Sequence, residues 1–171
     1  MFAEGAPSHN PNVDWLNTRG MWTLYVLMLL MFHLFLLSIP VDALTVPVVW
    51  TLTNVLHNLF SLVLFHFTKG TPWLDTDQGR FRALTFWEQI DDGIQYTTTK
   101  KFFTILPIVV YLMTGFYTSY NNTHFIINTI SLMTVLVPKL PFFHRLRLFG
   151  INRTEMKLPR NQADGMVEKG P

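Results

Sequence analysis

Four long apolar stretches separated by three polar connections dominate the chain. They run over about residues 21–39, 46–67, 102–120 and 124–143, and Lys139, near the end of the fourth, is the only charged residue in any of them. Each is close to the ~20 residues that a helix rising about 1.5 Å per residue needs to cross roughly 30 Å of hydrocarbon, and a lysine near a helix end can snorkel to the headgroups. The pattern predicts an all-α integral membrane protein with four transmembrane helices. The first run exceeds the usual apolar core of a signal peptide, lacks a small-x-small cleavage site and is followed almost at once by a second run, so it reads as a retained helix.

Polar residues inside the runs are periodic. Thr51, Asn54, His57, Asn58 and Ser61 recur at steps of three or four, as do His124, Asn128, Ser131 and Thr134 in the fourth run, and Thr104, Tyr111, Thr114 and Thr118 in the third follow at steps of seven, three and four. At 100° per residue each set falls on one helix face. Amides and imidazoles turned to lipid tails would lack hydrogen-bond partners, so these faces are expected to meet inside a bundle. An ion or proton path is the sharper alternative, but no run contains Asp, Glu or Arg, which pumps normally place at membrane depth.

The central connection is too polar to span. Pro72 and Gly79 break it early, whereas Leu84, Trp87, Ile90 and Ile94 share a face if residues 80–94 wind as a helix. That predicts a short interfacial helix anchored by Trp87, with Glu88, Asp91 and Asp92 turned to water or to a partner. Residues 1–20 read as a flexible arm, 21–153 as a four-span membrane domain and 154–171 as a disordered tail.

Charge orients this layout. Arg19 precedes the first run, Lys69, Arg80, Arg82, Lys100 and Lys101 lie between the second and third, and Lys139, Arg145, Arg147, Arg153, Lys157, Arg160 and Lys169 sit at or beyond the end of the fourth. These are all 13 Lys and Arg of the chain, and the loops at 40–45 and 121–123 carry none. The positive-inside bias therefore predicts cytosolic N and C termini and a cytosolic central loop. NNT at 121–123 matches a glycosylation sequon on the opposite side, but it lies against the membrane; we expect it to be unmodified, with no mass shift on glycosidase treatment.

Composition adds exclusions. With 49% hydrophobic and only 14% charged residues, the chain falls in the membrane class, and a net charge of +2 without a basic run gives no nucleic-acid surface. Absence of cysteine removes disulfides, thiolate metal sites and a cysteine nucleophile. The six histidines form no HxxH, HxxxH or HExxH pair, so no metal site is expected; a haem held by His57 and His124 on separate helices is not excluded by spacing. Glu88, Asp91 and Asp92 are suited to acid–base work in principle, yet no nucleophile motif, phosphate loop or dinucleotide fingerprint accompanies them. A solvated or partner-binding edge is the plainer reading, and the chain is expected not to be an enzyme and to hold no cofactor.

Several strings are specific. NPN at 10–12, NTRG at 17–20, VPVVWTLTN at 46–54, KGTP at 69–72, WEQIDDG at 87–93, VPKLP at 137–141 and FGIN at 149–152 occur in this order. Through them the chain resembles the ORM (ORMDL) family of endoplasmic-reticulum membrane proteins. The resemblance implies a multi-pass endoplasmic-reticulum subunit that binds serine palmitoyltransferase and restrains it when ceramide is plentiful, maintaining sphingolipid homeostasis; the pyridoxal-phosphate cofactor belongs to that partner. It also implies ceramide contacts at Asn12, Met21 and Phe86, although Phe86 replaces a histidine of animal relatives and so lacks a polar group for the lipid. Turn formation by NPN is the plainer alternative for Asn12. Asn54, His57, Asn58, Trp87, Glu88 and Asp91 are the candidates for a partner interface or a polar seam within the bundle. The main functional alternative is a general scaffold or chaperone for multispan proteins, followed by a membrane-embedded lipid enzyme or small transporter.

Overall fold

The computed structural model describes residue 10, residues 12–70, residue 81 and residues 83–143. The expected C-terminal tail, the basic residues beyond position 143 and the first nine residues of the arm lie outside the described residues. Among the described residues the secondary structure is helical throughout, apart from one isolated antiparallel bridge between Lys69 and Thr85. The main elements are α1 (Met21–Ser38), α2 (Val46–Leu62), α3 (Phe86–Gln89), α4 (Thr98–Tyr117) and α5 (Asn122–Leu136). A wider turn, Val63–Phe67, continues α2, and Met21–Ser38, Val46–Phe67 and Thr98–Tyr117 are long and apolar enough to cross a membrane.

Helix α2 is the centre of the bundle, packing against α1, α4 and α5, while α4 also packs on α5. Its polar face explains that position. Thr51, Asn54, His57, Asn58 and Ser61 are all buried, so the face expected from the sequence is the one turned inward. Helix α1 is apolar on every side and about two-thirds of its residues are exposed, Leu27, Met28, Met31 and Phe35 among them, with only His33 and Leu36 buried. Apolar exposure on that scale fits hydrocarbon, or a partner helix, rather than water.

The fourth apolar run departs from expectation. Its helix begins at Asn122, where the Asn121 side chain accepts the Thr123 N–H at 3.0 Å, and ends at Leu136 rather than near position 143. Pro138 and Pro141 supply no N–H to a continuing helix, so the chain proceeds through two tight turns, Val137–Lys139 and Pro141–Phe143.

Proline also shapes α4. Pro107 lies inside the helix, so the carbonyl of Phe103, one turn earlier, loses its regular donor. Lys139 supplies a substitute, its Nζ donating to that carbonyl at 2.8 Å and to Ser61 Oγ at 3.3 Å. The lysine is 5% exposed and lies over the rings of Phe65 and Trp87. The expected snorkelling of Lys139 is thus corrected: an orphaned carbonyl draws it inward.

Candidate functional site

Two polar assemblies stand out, one inside the bundle and one at the end where the second and third apolar runs meet the central connection. Inside, the stripes of α2 and α5 face each other. Asn54 Nδ2 donates to Asn128 Oδ1 at 2.8 Å, Asn58 Nδ2 donates to Ser131 Oγ at 3.0 Å, and Asn128 Nδ2 donates to Thr51 Oγ1 at 3.1 Å and to the His124 carbonyl at 2.7 Å. Bonds of this kind between membrane helices contribute on average about 0.6 kcal/mol each and at most about 1.7 kcal/mol. The α4 stripe takes less part. Thr104, Thr114 and Thr118 bond mainly to carbonyls of their own helix, and Tyr111 reaches Thr129 at 3.0 Å.

His57 and His124 are engaged separately. The His57 Nε2 lies 3.1 Å from the Tyr25 hydroxyl on α1, with Nδ1 buried and unpartnered, and His124 Nδ1 lies 2.9 Å from Thr51 Oγ1. Among the described residues no group of three or more His, Cys, Asp or Glu is placed to hold a metal.

The second assembly joins the N-terminal segment to the central connection. The Asn12 N–H donates to Asn10 Oδ1 at 3.1 Å, and the chain then coils through one tight turn, Asp14–Asn17. Val13 and Leu16 pack with Phe65, Phe86, Trp87, Ile90 and Phe103, and Met21 rests against this cluster. Hence the part of the arm nearest the membrane, expected as a loose extension, carries core residues. Its side-chain amides converge on Gln89, whose Oε1 accepts from Asn12 Nδ2 at 2.9 Å and Asn10 Nδ2 at 3.2 Å. The Gln89 Nε2 donates to the carbonyls of Leu84 at 3.1 Å and Gly70 at 3.3 Å. One buried amide therefore ties the arm, the exit from α2 and the approach to α3.

Local rules place Gln89 there. Residues 68–70 and 84–86 pair through Gly70 N–H to the Leu84 carbonyl and Phe86 N–H to the Thr68 carbonyl, both 3.0 Å. Thr85 then opens α3 with a capping box, its N–H donating to Glu88 Oε2 at 2.9 Å while its hydroxyl accepts the Glu88 N–H. After one turn Asp91 and Asp92 take left-handed backbone angles, φ 50° and 55°, which end the helix.

This corrects the expected interfacial helix over residues 80–94. Trp87 and Glu88 are each 4% exposed, Glu88 as the capping acid rather than a water-facing one, and Trp87 as a wall of the core rather than a headgroup anchor. Asp91 is half-buried with Oδ2 unpartnered, and Asp92 is exposed. Phe86 belongs to the apolar cluster on which Met21 rests, and Asn12 bonds to Gln89 rather than to either; Asn12 is 4% and Phe86 1% exposed. Gln89 is a site residue that the sequence reading does not single out; the T-x-x-E string at 85–88 signals a helix start but not the direction of the side chain that follows.

Residues 10–147 match the ORMDL family. This chain belongs to that family. ORMDL relatives similar to it include ORM1-like protein 3 of Mus musculus, 56% identical over 144 residues that make up 84% of this chain and 93% of the relative. ORM1-like protein 3 of Homo sapiens and ORM1-like protein 1 of Bos taurus are each 54% identical over the same shares. The region matched to the ORMDL family begins at Asn10, so it includes both asparagines clasped to Gln89 as well as the whole helical bundle.

Proposed function

We propose that the chain is a non-enzymatic regulatory subunit of the endoplasmic-reticulum membrane that binds serine palmitoyltransferase and inhibits it in response to ceramide. The ORMDL family resemblance supplies the partner and the lipid. On the structural side the reading is supported by the bond of Asn12 to Gln89, which ties the arm to the connection carrying Phe86. In this reading the chain crosses the bilayer four times with both termini and the central connection in the cytosol. The 15-residue α5 rises about 22 Å, short of a full crossing, and the apolar turns that follow, with Leu140 and Phe142 outward, complete it.

Ceramide carries an amide and hydroxyls, the partners a side-chain amide recognises. Because Asn12 and Phe86 are buried, the lipid head group gains Asn12 by displacing it from Gln89, and the released segment is then held against the enzyme. The switch is the exchange of one amide partner for another. To test the reading, palmitoyltransferase activity is measured in membranes with and without the chain while ceramide is titrated. Removal is expected to abolish the ceramide response, and Asn12→Ala to abolish it with the complex still assembled. An unchanged response in the Asn12 variant would overturn the site, and an unchanged response on removal would overturn the function.

A further inference from the structure

We propose that a cleft between the first turn of α4 and the end of α5 binds the phosphate of an anionic membrane lipid. This goes beyond the ceramide reading, none of whose residues Asn12, Met21, Phe86 and Gln89 lines the cleft, and it rests on that reading only for the membrane topology. The cleft encloses about 270 Å³. Lys100, Lys101 and Lys139 line one part of it, and Ile105, Leu136 and Leu140 line another. Among the described residues lining it there is no carboxylate.

The charge arrangement is unbalanced without a ligand. Lys100 and Lys139 are buried, yet both ammonium groups gather at one indole, 5.7 and 5.4 Å from the Trp87 ring. Their hydrogen bonds run only to neutral oxygens: Lys100 to the Ile94 carbonyl at 2.8 Å, and Lys139 to the Phe103 carbonyl and Ser61. Glu88 and Asp91 act on Lys100 only through space, and Glu88 is committed to capping α3. Buried cations without a carboxylate in hydrogen-bond contact are costly, and Lys100 and Lys101 also sit in the first turn of α4, where the helix dipole already presents positive charge. A phosphate relieves all three at once.

The donors needed are present. An ammonium has three N–H groups; Lys100 spends one, Lys139 two, and Lys101 is exposed. The apolar half beside them suits an acyl chain, and the cleft lies at the first turn of α4 and the end of α5, which the proposed four-crossing topology sets at the level of lipid phosphates. Basic pockets between helices at that depth are a recurrent way of holding anionic head groups.

The full chain in nanodiscs containing phosphatidylcholine and phosphatidic acid, analysed by native mass spectrometry, tests this. Retention of phosphatidic acid is expected to exceed that of phosphatidylcholine by about tenfold, given the contribution of each lysine near an anionic lipid. Lys101→Glu, at an exposed position that leaves the core intact, should abolish the preference. Arg19→Glu changes the net charge equally at an exposed site outside the cleft and should leave it. Equal retention of the two lipids, or equal loss in both variants, would overturn the site. Displacement of the lipid by an equal concentration of glycerol 3-phosphate would overturn its assignment to a lipid.

Discussion

Replacing Gln89 by Leu is expected to make the protein respond to about tenfold less ceramide, the opposite of the loss expected for Asn12→Ala. Leucine keeps the buried volume but removes the acceptor shared by Asn10 and Asn12 and the donors to Gly70 and Leu84. Two such bonds contribute about 1 kcal/mol each, so the clasp loses about 2 kcal/mol, equivalent to a factor of roughly 10–30 in the population of the released segment. A ligand that binds only the released form gains affinity by the same factor. The physical part is checked without the partner. Amide exchange at Val13, Asp14 and Leu16, whose N–H groups donate to carbonyls within the segment, should accelerate about 10–30-fold in Gln89→Leu. Gln89→Glu keeps an acceptor for both asparagines and should accelerate exchange less. Unchanged exchange in the leucine variant would show that Gln89 does not hold the segment. Faster exchange with an unchanged ceramide dose would separate the clasp from the sensor and remove the proposed switch.

What the sequence made legible follows from distance along the chain. The face of α2 was readable because Thr51, Asn54, His57, Asn58 and Ser61 repeat with the helix period, and burial followed from the cost of amides in hydrocarbon. The capping box at Thr85 and Glu88 is present in the sequence as T-x-x-E, whereas the apolar periodicity over residues 80–94 points to a longer helix. Two consecutive left-handed aspartates then stopped the helix, which periodicity does not register. Gln89 stayed hidden because its partners lie 77 and 79 residues earlier, and nothing local distinguishes it from a solvated glutamine. The end of α5 was misjudged for a different reason. Pro138 and Pro141 interrupt hydrogen bonding without interrupting the apolar run, so hydropathy passes over a stop that backbone chemistry imposes.

The lysine turned inward gives the largest expected effect on stability. Lys139→Met retains the apolar stem but leaves the Phe103 carbonyl without the ammonium that replaces the missing N–H of Pro107, and it removes a donor to Ser61. A hydrogen bond to a charged group contributes about 1.5–3 kcal/mol, and a buried acceptor left bare costs about 1–3 kcal/mol, so a loss of roughly 2–4 kcal/mol is expected for unfolding in mixed micelles. A second substitution identifies the cause. Pro107→Ala restores the N–H that closes the helical bond to Phe103, so in the double variant that carbonyl is satisfied without the lysine. The double variant should recover roughly 1–3 kcal/mol relative to the sum of the single changes. The combination matters because Lys139 also touches Phe65, Trp87 and Ser61, and none of those contacts depends on residue 107 having an amide hydrogen. Strict additivity, a coupling below about 0.5 kcal/mol, would mean that the lysine is held by the rings alone and that the proline does not set its position.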